Sequence, residues 1–320
     1  MSEARIAATS AGRDRTVSAL AVALALAYAG AQFPGPFAVL DNLSNFPAHF
    51  AAAFLGCAAL FAWRRRALPA LACAALAALA LARVVPWYFG AEPVPADPAR
   101  PWVRLLVSNV YSGNRHPRRL LALVRQEDPD VVGLIEVDSW WLRRLRPLQE
   151  RYPYHYEVPD EHYAGLAIYS RVPIKEVLSL SLPGERAPHA VAATLMAPGG
   201  SVELVLAHPM SPIGAEYIAK RNAQVADIAR AAAAAHAPLV LAGDLNLTMW
   251  NDAYRPLEDV AGLRNARQGH GIQPTWPALG PLGVPIDHVL ASPGVHVRNF
   301  RVLPGIGSDH FPIAAEFSAR

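Results

Sequence analysis

Apolar positions divide this chain into two unlike parts. Up to about residue 90, Ala, Leu and Val dominate and charges are sparse; beyond residue 100, short apolar runs alternate with polar stretches punctuated by Pro and Gly. Three apolar segments stand out in the first part, at 17–33, 48–63 and 67–89. None shows a polar face, which argues against buried helices of a soluble domain. A helix that crosses a bilayer needs about 20 apolar residues. The third segment reaches that length and the first two are somewhat short and Ala-rich, so a membrane anchor of three transmembrane helices is expected over 1–90. Taken alone, the first segment has a second reading as a signal peptide, since Arg residues precede it and small residues follow it.

The second part predicts an α/β domain over 102–320. Strands are expected at 103–108, 131–135, 164–169, 177–182, 190–195, 202–207, 239–242, 286–290, 295–302 and 313–317, and helices at 117–126 and 215–235. Short buried strands repeatedly end in polar residues: Asn109, Glu136, His208, Asp244 with Asn246, Asp287 with His288, and Asp309 with His310. Each alone reads as a turn former. Six such endings together point to one rim of a sheet, where α/β folds build sites.

Charge sharpens the division. Residues 1–90 hold seven arginines against Glu3, Asp14 and Asp41, a net +4, so the remainder carries −1 of the chain's +3. The soluble part thus lacks the positive balance of a nonspecific polyanion binder. Arg5, Arg13 and Arg15 precede the first segment and Arg64–Arg66 separate the second from the third, while 34–47 holds no Lys or Arg. The positive-inside rule then keeps the N-terminus and the Arg triplet in the cytoplasm, and three crossings deliver the soluble domain to the exoplasmic, periplasmic side of the inner membrane. Residues 91–101 form a linker, and its stretch 92–101 with four prolines is a stiff extended spacer. Cys57 and Cys73 both lie in apolar segments and read as small buried hydrophobes.

The runs LLVSNVYSGN, PDVVGLIEVD, LAHPMSP, LAGDLNLT, PIDHVLAS and GSDHFPI, in that order, resemble the endonuclease/exonuclease/phosphatase superfamily from about residue 102 to 320. GD-x-N followed by a terminal S-D-H is specific in combination. The anchor plus domain is similar to bacterial membrane-attached members. The resemblance implies a four-layer α/β sandwich, two packed sheets flanked by helices, and hydrolysis of a phosphate ester by water. It implies a divalent metal, usually Mg²⁺, with Glu136 as a ligand and Asn109 and Asp309 near it; oxygen ligands suit Mn²⁺ and Ca²⁺ as well. It further implies Asp244 orienting or deprotonating the attacking water, and Asn246 binding a phosphate oxygen. His310 would contact the phosphate, with Asp287 fixing its imidazole, and His208 would serve as a second catalytic histidine. His288, the Ser170-Arg171 pair, Arg221 and Gln224 read as structural, and Thr275-Trp276 as pocket wall or packing. One departure is Tyr111, which stands where repair-type nucleases carry an acid. The expected substrate is therefore a phosphoester near the outer membrane face, such as a lipid headgroup. Two other readings are an exoplasmic nuclease acting on DNA or RNA, and a catalytically silent binding domain.

Overall fold

The computed structural model describes residues 2–33, 38–91 and 101–319. The chain divides into two compact units: Met1–Pro86 with Trp250–Asp252, and Trp87–Met249 with Ala253–Arg320. The Pro-rich spacer expected at 92–101 lies, except for Pro101, outside the described residues.

The first unit holds α1 (Ser2–Gly30), α2 (Ala38–Leu43), α3 (Pro47–Trp63) and α4 (Ala67–Val84). Pro47 opens α3 at a position whose N–H has no helical partner to lose. Arg65 ends the helix in the left-handed region (φ 58°), and the Arg66 N–H turns back to the Phe61 carbonyl. Phe54 packs on Ala77 and Ala80, and Phe61 on Cys73, so small residues on α4 receive the rings of α3. Leu55, Trp63, Leu68, Leu71 and Leu79 point outward and are exposed. Among the described residues one helix, Ala67–Tyr88, is long and apolar enough to cross a membrane. The other two expected spans are helical but shorter, at Thr16–Gly30 and Pro47–Trp63. The connection at 34–47 contains the short α2.

Among the described residues the second unit contains twelve strands in two six-stranded sheets. The first sheet is ordered β11-β12-β1-β2-β4-β3, from β1 (Val103–Asn109), β2 (Val131–Ile135), β3 (Tyr154–Val158), β4 (Leu166–Ser170), β11 (Val295–Val302) and β12 (Ile313–Ala319). The second is ordered β5-β6-β7-β8-β10-β9, from β5 (Ile174–Leu180), β6 (Ala190–Ala197), β7 (Gly200–Ala207), β8 (Leu239–Asp244), β9 (Arg264–Asn265) and β10 (Asp287–Ala291). β1 and β2 are parallel, as are β7 and β8; the other pairings are antiparallel. The sheets pack face to face through Leu105, Val107, Ile135 and Ile168 of one and Val191, Leu204, Leu206, Val240 and Val289 of the other. Gly133 lets them meet closely, since a Cβ there would stand 2.8 Å from Leu206.

The opposite face of the first sheet, through Leu106, Val132, Leu134 and Tyr169, is covered by α5 (Pro117–Glu127) and α6 (Ser139–Gln149). Strands buried on both faces explain the apolar runs of β2 and β8 and the Leu105–Val107 stretch of β1. The long α7 (Ala215–Ala233) connects β7 to β8 and buries Ile218, Val225 and Ile228; the short α8 (Arg255–Asp259) follows β8.

This topology gives the second unit two unlike rims. At one, the parallel strands β1, β2, β7 and β8 end, and β4, β6, β10 and β12 begin. At the other, β1 and β2 begin beside the end of β4. There Arg104 pairs with Asp128 (3.1 Å) and Asp130 (3.4 Å), and Arg171 and Arg151 also reach Asp128 at 2.5 and 2.8 Å. Arg171 thus sits far from any strand-end cluster of catalytic residue types.

Candidate active site

The first rim gathers the expected residues from six separate segments. Asn109 is the last residue of β1 and Glu136 follows β2; Asp244 ends β8, and Asp287 opens β10 directly opposite it in register. His208 follows β7, and Asp309 and His310 lie in the loop before β12. Asp287 and His310 therefore lie at the starts of antiparallel strands, which share the rim with the parallel ends; the sequence pattern had placed them at strand endings.

Backbone geometry aims these side chains. Glu136 adopts φ 62° and Asn246 φ 53°, left-handed conformations that cost on the order of 1–3 kcal/mol in non-glycine residues and persist only where the surroundings impose them. Gly243 has φ 147°, and a Cβ there would lie 2.0 Å from the Ala207 carbonyl oxygen. Only glycine allows β8 to run this close to β7 immediately before Asp244.

Hydrogen bonds then join the two sheets across the cleft. The Asn109 amide donates to Glu136 Oε1 (3.0 Å) and Asp244 Oδ2 (3.1 Å), while its oxygen accepts the Tyr111 N–H. The Asn109 nitrogen thereby braces two carboxylates. Asp244 Oδ1 accepts the Asn246 N–H at 2.9 Å. His310 Nδ1 lies 2.9 Å from Asp287 Oδ2, and its Nε2 lies 3.5 Å from Asp244 Oδ2. His208 Nε2 stands 3.8 Å from Asp244 and 4.0 Å from Glu136. Ser308 donates to the Asn109 carbonyl and accepts the His310 N–H, which explains the serine of the S-D-H run. The Asn246 amide, expected on a phosphate oxygen, donates to the Pro209 carbonyl (2.9 Å) and so ties the Asp244 loop to the His208 loop.

Burial sets the protonation states. It raises Asp244 to about 6, opposed by the charge of His310. Burial also works against a charge on His310, but Asp287 and Asp244 outweigh it and push that imidazole up to about 10. His208 moves the other way, held neutral chiefly by burial. His288, bonded to Leu247 and Asn265, is driven to about 3 by burial and by Arg267, so it is a neutral packing residue.

Donor atoms of Asp244, Asp287 and His310 lie within 4.8 Å of one another. That trio makes a poor metal cage, because the charged imidazole has no lone pair to offer and Asp287 already accepts its proton. Glu136 fits better. Its carboxylate is pushed up by burial, and the charge of Asp309 pushes it further. Among the described residues no Lys or Arg donates to the carboxylates of Glu136, Asp244, Asp287 or Asp309. A divalent ion would neutralise this surplus of hard, negative oxygen, and Glu136 and Asp309 are the carboxylates free of an imidazolium hydrogen bond that could hold one.

Several supporting residues carried no clear signal in the sequence. Arg267 is wholly buried and donates to the carbonyls of Ile272, Gln273 and Asp287, which fixes the strand start that bears Asp287. Arg221 donates to the Asn246 carbonyl (3.1 Å) and Gln224 accepts the Met210 N–H (2.6 Å). Both are structural, and through them α7 braces the Asn246 and His208 loops. Trp276 does line the site: its Nε1 donates to Asp309 Oδ2 (3.0 Å), and its ring lies 6.3 Å from that of His310.

A family model described as the endonuclease/exonuclease/phosphatase family matches residues 106–310. Among solved structures, a humanised D. rerio TDP2 bearing 14 mutations aligns with TM-score 0.58 and 20% identity over 68% of this chain and 99% of that one. The 3′ phosphatase NExo from Neisseria, bound to a product DNA hairpin, gives 0.57 and 22% over 68% and 99%. The human nocturnin catalytic domain gives 0.56 and 20% over 69% and 96%. At these identities the likeness is one of fold. Comparison with curated proteins gives no match.

Proposed function

Since this chain belongs to the endonuclease/exonuclease/phosphatase family, we propose that it is a metal-dependent phosphoesterase acting at the outer face of a membrane. The observation that carries the reading is the relay across the seam of the sheets, from Glu136 through Asn109 to Asp244 and on through His310 to Asp287. It juxtaposes a carboxylate raised toward neutrality with an imidazole held charged, the pairing that base-and-electrophile chemistry needs.

Glu136 and Asp309 would hold a divalent ion, preferably Mg²⁺, which would neutralise charge on the phosphate. Asp244 accepts a proton from the attacking water. The His310 Nε2–H faces the same cleft and stabilises negative charge developing on the phosphate oxygens. Asp287 keeps His310 charged and aligned through Nδ1, leaving Nε2 for substrate. His208, neutral beside Asp244, supplies a second ring to the same pocket.

The location is supported by the apolar span Ala67–Tyr88, the outward leucines of α3 and α4, and the arginine distribution. The nuclease reading stands second: NExo and TDP2 have been captured with DNA, but the soluble part of this chain is net acidic. Hydrolysis assays on a generic phosphodiester, a phosphomonoester, DNA and phospholipids, with Mg²⁺ or EDTA and a His310→Ala control, test the proposal. Turnover that needs metal and vanishes in the variant is expected; turnover untouched by EDTA and by the variant would refute it.

A further inference from the structure

The loops that frame the cleft carry an uncommon number of exposed apolar side chains. Tyr111 follows Asn109 by two residues, and Tyr163 lies in the loop leading to β4. Ile213, five residues after His208, is 77% exposed; Leu279 and Leu282, on the loop that bears Trp276, are 66% and 68% exposed. That loop is not remote from the chemistry, because the Ala278 N–H donates to the Asp309 carbonyl at 2.7 Å. Exposed apolar residues are ordinary when scattered singly. Ringed around a charged cleft, they ask for an apolar partner.

Cations are scarce in the same loops. The stretches 110–116, 159–165, 181–189, 208–214, 266–286 and 303–312 hold only Arg115, Arg186 and Arg267. Arg115 pairs with Asp138 (3.3 Å), Arg186 with Asp160 (3.6 Å), and Arg267 is buried on carbonyls. A nucleic acid would place further phosphates on these loops and call for Lys or Arg to meet them.

Loop 266–286 also holds the end of the candidate membrane span. The Trp87 carbonyl accepts the N–H groups of Gly269 (3.0 Å) and Gly271 (2.9 Å), and the Phe89 carbonyl accepts from Gln268 Nε2. Trp, Tyr and Phe in sequence are the residues that mark a bilayer's polar boundary. One loop thus holds residues 87–89 and, five residues beyond Gly271, presents Trp276 at the cleft.

We propose that the substrate is a phospholipid at a bilayer surface, its phosphoester entering the cleft and its apolar part resting on Ile213, Leu279 and the neighbouring aromatics. The proposal depends on the phosphoesterase reading and names its substrate class.

The test uses the full chain reconstituted in vesicles of phosphatidylethanolamine and phosphatidylglycerol with Mg²⁺. It compares these lipids with their deacylated, water-soluble glycerophosphodiesters, with bis(p-nitrophenyl) phosphate and with a single-stranded DNA oligonucleotide. The lipids should turn over fastest. Ile213→Ser and Leu279→Ser should each lower lipid turnover about tenfold, the loss expected when an aliphatic side chain no longer leaves water, and should leave the soluble diester unaffected. Equal turnover of lipids and deacylated diesters, preference for DNA, or equal losses on soluble and lipid substrates would overturn the proposal while sparing the phosphoesterase reading. Failure on every substrate would overturn both.

Discussion

The two rims of the second unit are both crowded with charge, yet they are built in opposite ways. At the far rim Arg104, Arg151 and Arg171 meet Asp128 and Asp130, and most of these side chains remain partly in water. Each carboxylate has a guanidinium partner, and Asp128 is held down at about 2, chiefly by the Arg171 hydrogen bond. At the cleft rim Asp244 and Asp287 are buried and share two histidines; among the described residues no guanidinium donates to either carboxylate, and Arg267, the buried cation that feels the Asp287 charge, spends its hydrogen bonds on carbonyls. Matched charges in water make a quiet surface. Mismatched charges out of water leave groups with shifted proton affinities, which is the condition for chemistry. Counting charged residues would not separate the two rims; burial and the type of cation do.

The largest expected effect falls on the cleft rim. His310→Ala should lower kcat by about 10³-fold, the scale of losing a charged donor at a transition state, while a thermal melt shows the fold retained. Removing Asp287 should instead change the pH profile. Activity needs Asp244 ionised and His310 charged, so it should fall below about pH 6 and again above about pH 10. Asp287→Asn withdraws the main support of the imidazolium, and the alkaline limb should move toward neutral pH; an unmoved limb would show that another group sets it.

A middle-sized effect should follow from Arg221→Met. Arg221 touches no substrate but steadies Asn246 from behind, and displacement of that loop should cost about 10- to 100-fold in kcat with little change in KM. Glu136→Gln should raise the Mg²⁺ concentration needed for half-maximal activity, read by titration of the EDTA-treated protein.

The smallest effect belongs to the far rim. Arg171→Ala should leave kcat and KM unchanged and lower stability by about 1 kcal/mol or less, an amount that salt erases. Since the Asp128 carboxyl is depressed when folded, its contribution is present above the unfolded value of about 3.9 and is lost as pH falls toward about 2. Thermal melting midpoints of wild type and Asp128→Asn should therefore converge as pH is lowered toward about 2. A large kinetic defect in Arg171→Ala would erase the contrast between the rims.

Much of this site was legible because β2, β8 and the Leu105–Val107 stretch of β1 are apolar runs whose ends announce themselves by a change to polar residues. Other features were hidden for physical reasons. The segment Ser139–Gln149 contains Pro147 and reads as interrupted, yet it forms α6, capped by Asp138 and packed through Trp141, Leu145 and Leu148. Tyr154–Val158 is an edge strand with both faces mixed, so its pattern is weak. Arg267 looked like any surface arginine, because only the folded loop brings three carbonyls to it. The orientation of the Asn109 amide likewise depends on Glu136 and Asp244 arriving from elsewhere in the chain.

The hydrogen bonds that cross between the sheets have a temporal consequence. Asn109 and His310 come from the first sheet and Asp244 and Asp287 from the second, while β12, the last strand formed in sequence, pairs with β1, the first. During synthesis no length of chain ending before His310 contains the site, and β1, which finds β2 early, must wait for its second neighbour until β12 has emerged. The cleft is then a late structure, complete only once both sheets are assembled, so a chain stalled short of His310 lacks its constellation of carboxylates and histidines.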